Sequence, residues 1–176
     1  MAEVDDQGLF MKKRVLFFIE SLSGGGAEKV LVTLLSHFDY SKYAVTLLAV
    51  SDIGVHREAI RELNKGAFPK VNYRTICGEG NRFCQKLLYK MIYQVLPAWL
   101  VCRLFIPRDN DIYVAFVEGY CTKVLSYVKK RKIAWVHIDL KSYPWTLEKG
   151  LYKDVEEERD VYAKYDKIVS VSQSVE

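Results

Sequence analysis

Residues Met11 to Val30 read MKKRVLFFIESLSGGGAEKV: a basic lead-in, an apolar run, and three glycines that open into a helical pattern. Val15 to Ile19 is uninterrupted and short, which is the pattern of a strand buried on both faces, as parallel sheets require. The strand is expected to stop near Glu20. Ser21 and Ser23 then lead into Gly24, Gly25 and Gly26, which lack a Cβ, permit positive φ and let a ligand approach the backbone closely. Beyond them Ala27, Val30, Leu31, Leu34 and Leu35 recur at spacings of three and four, which predicts a helix. The glycines therefore sit at a helix N-terminus, where unpaired N–H groups and the dipole attract anions. That arrangement suits a phosphate or sugar, although the same turn also serves as a plain tight connection.

Two other glycine motifs can be set against this one. A P-loop needs Lys followed by Ser or Thr after its last glycine, whereas Gly26 is followed by Ala27, Glu28 and Lys29. A dinucleotide fingerprint needs a third glycine where Lys29 stands; in that rival reading Asp52 would be the ribose-binding acid.

Outward from this turn, strand and helix patterns alternate. Tyr43 to Val50 reads as a strand, Val55 to Leu63 as a short helix closed near Gly66, and Val71 to Cys77 as a third strand. Arg82 to Phe105 is the longest apolar-rich segment, helical in spacing and expected to kink or divide at Pro97. Asp111 to Val117 is a fourth strand, followed by a helix over Thr122 to Lys130. Ile133 to Ile138 is a fifth strand, Tyr143-Pro144-Trp145 an aromatic loop, Leu151 to Tyr165 a charged helix, and Lys167 to Val171 a sixth strand. The alternation predicts an α/β fold: a Rossmann-like, doubly wound parallel sheet of about six or more strands with helices on both faces. In such a sheet ligands gather at the carboxyl ends of the strands. Gly24, Gly25, Gly26, Glu118, His137 and Asp139 all fall there and are expected to line one cleft. Each also has a local alternative: a helix cap for Glu118, a local hydrogen bond for His137, a strand stop for Asp139.

The chain has 176 residues, 50% of them hydrophobic, which suits one domain with a sizeable core. Residues 1–10, carrying Glu3, Asp5 and Asp6, read as a disordered leader and lack the charge order of a secretory signal. The 26 basic and 22 acidic residues are spread along the chain, so nucleic-acid binding is not indicated. Basic residues do punctuate the apolar stretch from Arg82 to Arg108, which suits an anionic membrane surface or a phosphorylated ligand. Its uncharged core between Lys90 and Arg103 is too short to cross a bilayer. Cys77, Cys84, Cys102 and Cys121 are widely spaced, and His37, His56 and His137 are scattered, so reduced thiols and no metal are expected.

Four segments, SLSGGGAEKVLVTLL, DIYVAFVEGYCTKVL, KIAWVHIDL and DKIVSVSQSVE, together resemble the N-terminal half of retaining glycosyltransferases with the GT-B architecture, of the group 1 or family 4 type. The resemblance spans about Met11 to Glu176, with the GGAE segment and the apolar strand ending in His as its more specific parts. It implies that residues 11–176 form the acceptor-side domain of a two-domain enzyme. That enzyme would move a hexose, with retention, from a nucleotide-sugar to a glycan or lipid-linked acceptor, as in surface polysaccharide synthesis. The nucleotide-sugar is a substrate, so no cofactor is implied. By the same resemblance Gly24, Gly25 and Gly26 face the donor phosphates and the acceptor, His137 is the catalytic-site residue that contacts the donor sugar, and Glu118 and Asp139 lie on the acceptor side. The family's second domain carries two glutamates seven residues apart. Glu148 and Glu156 share that spacing but lack its glycine-rich context, and the C-terminal nucleotide-sugar domain is expected to lie outside this chain, leaving the fragment inactive alone. The expected location is cytoplasmic, with possible peripheral contact at the inner face of a membrane. The alternatives are an NAD- or flavin-dependent oxidoreductase and a non-catalytic interaction domain.

Overall fold

A computed structural model describes residues 12–66, 69–78 and 82–171; the expected leader at residues 1–10 lies outside them. Six parallel strands form one sheet in the order β3-β2-β1-β4-β5-β6, with β1 Lys13–Ile19, β2 Tyr43–Ser51, β3 Val71–Cys77, β4 Ile112–Ala115, β5 Arg131–Val136 and β6 Lys167–Ser170. The fold is the doubly wound α/β arrangement that the alternation predicts. In β1 the pleat divides the apolar run between two cores. Leu16 and Phe18 face one, packed by α4 (Ala98–Phe105), α5 (Tyr120–Leu125) and α7 (Val155–Tyr162). Val15, Phe17 and Ile19 face the other, packed by α1 (Gly26–Ser36) and α2 (Arg57–Leu63). Phe18 stands in register with Leu48 of β2 and Ala115 of β4.

The second core is one-sided. α1 and α2 close it over β1 to β3, while Ile133 and Trp135 of β5 and Val169 of β6 remain partly exposed along a groove of about 280 Å³.

Several elements differ from the sequence expectation for identifiable reasons. The Arg82 to Phe105 segment divides into α3 (Arg82–Lys90), a wide turn of π type over Met91–Val95, and α4, which Pro97 starts from an extended conformation. α5 stops at Leu125 because Tyr127 and Val128 donate to the carbonyls of Val124 and Leu125, three residues back, and tighten the end. The strand after it begins at Arg131 rather than Ile133. There Lys132 buries its stem, spends its ammonium on the Val128 carbonyl, and donates its N–H to the Asp166 carboxylate at 2.8 Å. The aromatic loop contains a single helical turn, α6 (Trp145–Glu148), and α7 starts only at Val155, where Asp154 caps the Glu157 N–H at 2.8 Å.

The loops after β1 and β2 are tied to each other. Ser51 N–H donates to the Glu20 carbonyl, Leu22 N–H to Ile53 and His56 N–H to Leu22, at 3.0 to 3.1 Å. Gly54 makes this possible: its φ is +122° and a Cβ there would run into the Leu22 carbonyl. Gly54→Ala is therefore expected to lower stability by about 2–3 kcal/mol in urea unfolding, combining backbone strain with a forced separation of the loops. Gly26→Ala, where nothing lies within 4 Å of the added carbon, should stay within about 0.5 kcal/mol of the parent.

Candidate functional site

β1 and β4 are neighbours, but the segments that follow them pack on opposite faces of the sheet, α1 on one and α5 on the other. A strand-order reversal of this kind opens a crevice at the carboxyl edge. Three strands deliver polar side chains to it: Glu20, Ser21 and Ser23 after β1, Glu118 after β4, and His137 after β5.

Glu118 is buried, and its Oε2 accepts the His137 N–H at 2.9 Å. It does not cap the helix that follows it, whose N-terminus is Gly119 at a φ of +88°. The His137 ring is fixed as well. Its Nε2 lies 2.8 Å from the Phe116 carbonyl, and a carbonyl can only accept, so Nε2 carries the proton. In the neutral ring Nδ1 is then left as the acceptor. The ring stacks on Trp135 at 8°, with centroids 6.2 Å apart.

The triglycine lies at the start of α1 as expected, but it does not use the conformational freedom it was expected to need. Gly25, the N-cap, has φ −78° and ψ 167°, and the only positive-φ glycines among the described residues are Gly54, Gly119 and Gly150. What the glycines leave is space and bare N–H groups. Part of that space is taken by Glu28 in the first turn of α1, whose carboxylate lies over Gly25 and accepts the Ser23 hydroxyl at 2.8 Å. Ser23 in turn accepts from Ser21 at 3.1 Å. The helix end thus holds an acid of its own, which favours the dipole and competes with an incoming anion.

Glu20 is the residue that the sequence reading passed over as a strand terminus. Burial raises its carboxyl pKa above the ordinary 4.5; the Tyr93 hydroxyl opposes that, and the Glu118 and Glu28 carboxylates add to it. Tyr93 comes from the π turn. Its ring lies between those of Tyr89 and Tyr120, at 4.4 and 4.3 Å. Its hydroxyl is buried without a hydrogen bond of ordinary geometry, and burial together with the charge of Glu20 raises its pKa strongly. The Tyr162 hydroxyl and the Trp145 indole N–H are likewise buried without partners. Position at a strand end could have flagged Glu20; nothing local could have placed Tyr93 beside it.

Asp139 belongs to a turn. Its oxygens accept the N–H groups of Lys141 and Ser142 and the Ser142 hydroxyl, the last at 2.6 Å, and the Ser142 bonds hold its pKa low. Glu148 and Glu156 lie on different helices, α6 and α7, so their spacing does not build a shared face. Asp52 is already engaged: Oδ2 with Arg57 at 3.2 Å and Oδ1 with the Tyr73 hydroxyl at 2.9 Å. Among the described residues no group of three or more His, Cys, Asp or Glu side chains is placed to hold a metal ion. No family model matches the chain, and no curated protein matches it.

The Glu20 environment has a pH signature. A carboxyl whose pKa is raised on folding makes the native state bind more protons than the unfolded one, so stability falls as pH rises from the ordinary value through the raised one. Glu20→Gln removes that loss. Thermal melts from pH 4 to pH 8 should show the variant melting above the parent at pH 8, with the difference closing toward pH 4.

Proposed function

We propose that this chain is a glycosyltransferase domain whose carboxyl sheet edge faces an activated sugar and its acceptor. The observation that carries the reading is the junction of the α1 N-terminus, Glu20, Glu118 and His137 across three strands of one edge. Each group suits a distinct part of that chemistry. The first N–H groups of α1 can take negative charge that develops on a departing diphosphate. Nδ1 of His137, held as an acceptor, can take a hydroxyl proton of a sugar ring. Glu20, at the end of β1, can offer its carboxyl oxygens to a sugar hydroxyl. The donor is a nucleotide-sugar and the acceptor a glycan or lipid-linked sugar. A second, nucleotide-binding body facing this edge would exclude water and align the reactants. No helix among the described residues is long and apolar enough to cross a membrane.

The NAD or flavin reading has less support. Lys29 stands where the third glycine would be, and both Asp52 oxygens that would take the ribose hydroxyls are held by Arg57 and Tyr73.

Amide chemical shifts of the isotope-labelled chain test the proposal. Addition of UDP-glucose or GDP-mannose should move the amides of Gly24 to Glu28 and the His137 ring resonances, and His137→Ala should weaken that response. Glu28→Gln should tighten it about 2- to 5-fold by removing a like charge from the helix end. NAD moving the same amides while both nucleotide-sugars leave them unchanged would overturn the reading.

A further inference from the structure

We propose that the cavity along α4 is a docking site for anionic phospholipid headgroups at a bilayer surface. This does not rest on the glycosyl-transfer reading, because the cavity lies at the amino-terminal edge of the sheet, opposite Glu20 and His137. It is about 560 Å³ and opens between α4 and the turn that joins α5 to β5. The floor is apolar, with Cys102, Ile106 and Val128 among its lining residues. The rim is cationic: Arg103, Arg108, Lys129 and Lys130. No carboxylate lines it.

Among the described residues the charge on this rim lacks an ion-pair partner. Lys130 Nζ donates to the Asn110 carbonyl at 2.8 Å and Arg108 reaches the Arg103 carbonyl at 3.5 Å, but among the described residues none of the four is in an ion pair. The acids that follow in sequence, Asp109 and Asp111, pair with Arg14. A fifth cation, Lys164, sits over the Tyr127 ring at 5.4 Å. The sequence contains no Asp or Glu from Gly80 to Arg108. Two aromatic residues stand on the same rim, Trp99 at 50% and Tyr127 at 45% exposure, and Leu104 on α4 is 60% exposed.

Phosphate groups would supply the missing charge, and the glycerol and upper acyl carbons behind them would fill the apolar floor. Nucleic acid matches the first requirement and leaves the floor unfilled. Trp and Tyr side chains favour the depth of lipid headgroups, and each Lys or Arg near an anionic leaflet adds to the attraction. The combination of apolar contact and basic charge is that of a peripheral surface, not a spanning one.

Vesicle flotation with the full chain tests this. Vesicles of phosphatidylcholine with about one third phosphatidylglycerol should carry the chain at low salt and release it near 0.5 M salt, whereas phosphatidylcholine alone should not carry it. The double variant Arg103→Glu with Lys129→Glu should bind at least about tenfold more weakly, and Arg74→Glu, on β3 away from the cavity, should bind like the parent. The unmodified chain gives a second readout: emission from the half-exposed Trp99 should shift to the blue on anionic vesicles, and Trp99→Phe should abolish the shift. Equal partition to neutral vesicles, or unchanged binding by the folded double variant, would overturn the proposal. So would binding of free glycerol phosphate in the absence of vesicle binding, which would make the cavity a site for a small phosphorylated molecule.

Discussion

The structure depends on β1 being apolar on both faces and hydrogen-bonded on both edges. Val15 to Ile19 supplies alternate side chains to two cores while its backbone pairs with β2 and β4. A strand so placed cannot tolerate a polar residue or a one-residue slip, because either would put an unpaired group into a core. Its central position also dictates where the chain must reverse. β2 and β3 build outward on one side and β4 to β6 on the other, and the connections diverge onto opposite faces at the β1–β4 boundary. The meeting of Glu20 and Glu118 at the carboxyl edge is a geometric consequence of that reversal.

What the edge residues add is electrostatic. Glu20, Glu118 and Glu28 bring three carboxyls to a small region where burial already disfavours charge. Glu118 offsets its burial with the His137 N–H, and Glu28 draws on Ser23 and the end of α1. Glu20 faces the Tyr93 hydroxyl, and burial raises its pKa. A folded domain that keeps a carboxyl in this condition, beside a buried tyrosine hydroxyl without a hydrogen bond of ordinary geometry, gives up stability there, and perturbed groups of this kind concentrate at functional sites. The indole of Trp145 and the Tyr162 hydroxyl extend the set of unsatisfied groups.

The strands were legible because their signal is local. The third strand matches its expected bounds, Val71 to Cys77, and the second differs by one residue, since turn residues and apolar runs bracket both. The helices after β3 and β5 were less legible. Continuous apolar spacing from Arg82 to Phe105 says nothing about the π turn at Met91–Val95, which places Tyr93 against Tyr120 and Glu20. The start of α7 did carry a readable signal, Asp154 three residues before Glu157, but the surrounding run of charges obscured it. At the candidate site the positions of Gly24 to Gly26, Glu118 and His137 followed from strand ends alone. Their roles did not. Among the described residues the positive-φ glycines are Gly54, Gly119 and Gly150, and at the first two another loop also crowds the position: Leu22 against Gly54, and Trp145, whose Cη2 would lie 2.8 Å from a Cβ at Gly119.

The bond from Glu118 to the His137 backbone bears on how such an edge keeps its shape. β4 and β5 pair in parallel from Ile112↔Arg131 to Ala115↔Ala134, and beyond that register the two chains are free to splay. Two interactions prevent it: the Glu118 carboxylate on the His137 N–H and the His137 Nε2 proton on the Phe116 carbonyl, while Trp135 of the same strand stacks on the ring. Together they clamp the His137 backbone and the Nε2 edge of its ring to the neighbouring strand's loop. The ring orientation is therefore set by the fold and needs no ligand to establish it. Preorganisation of this kind lowers the cost of ordering a polar group at the moment of binding, and it does so here with one nitrogen still available.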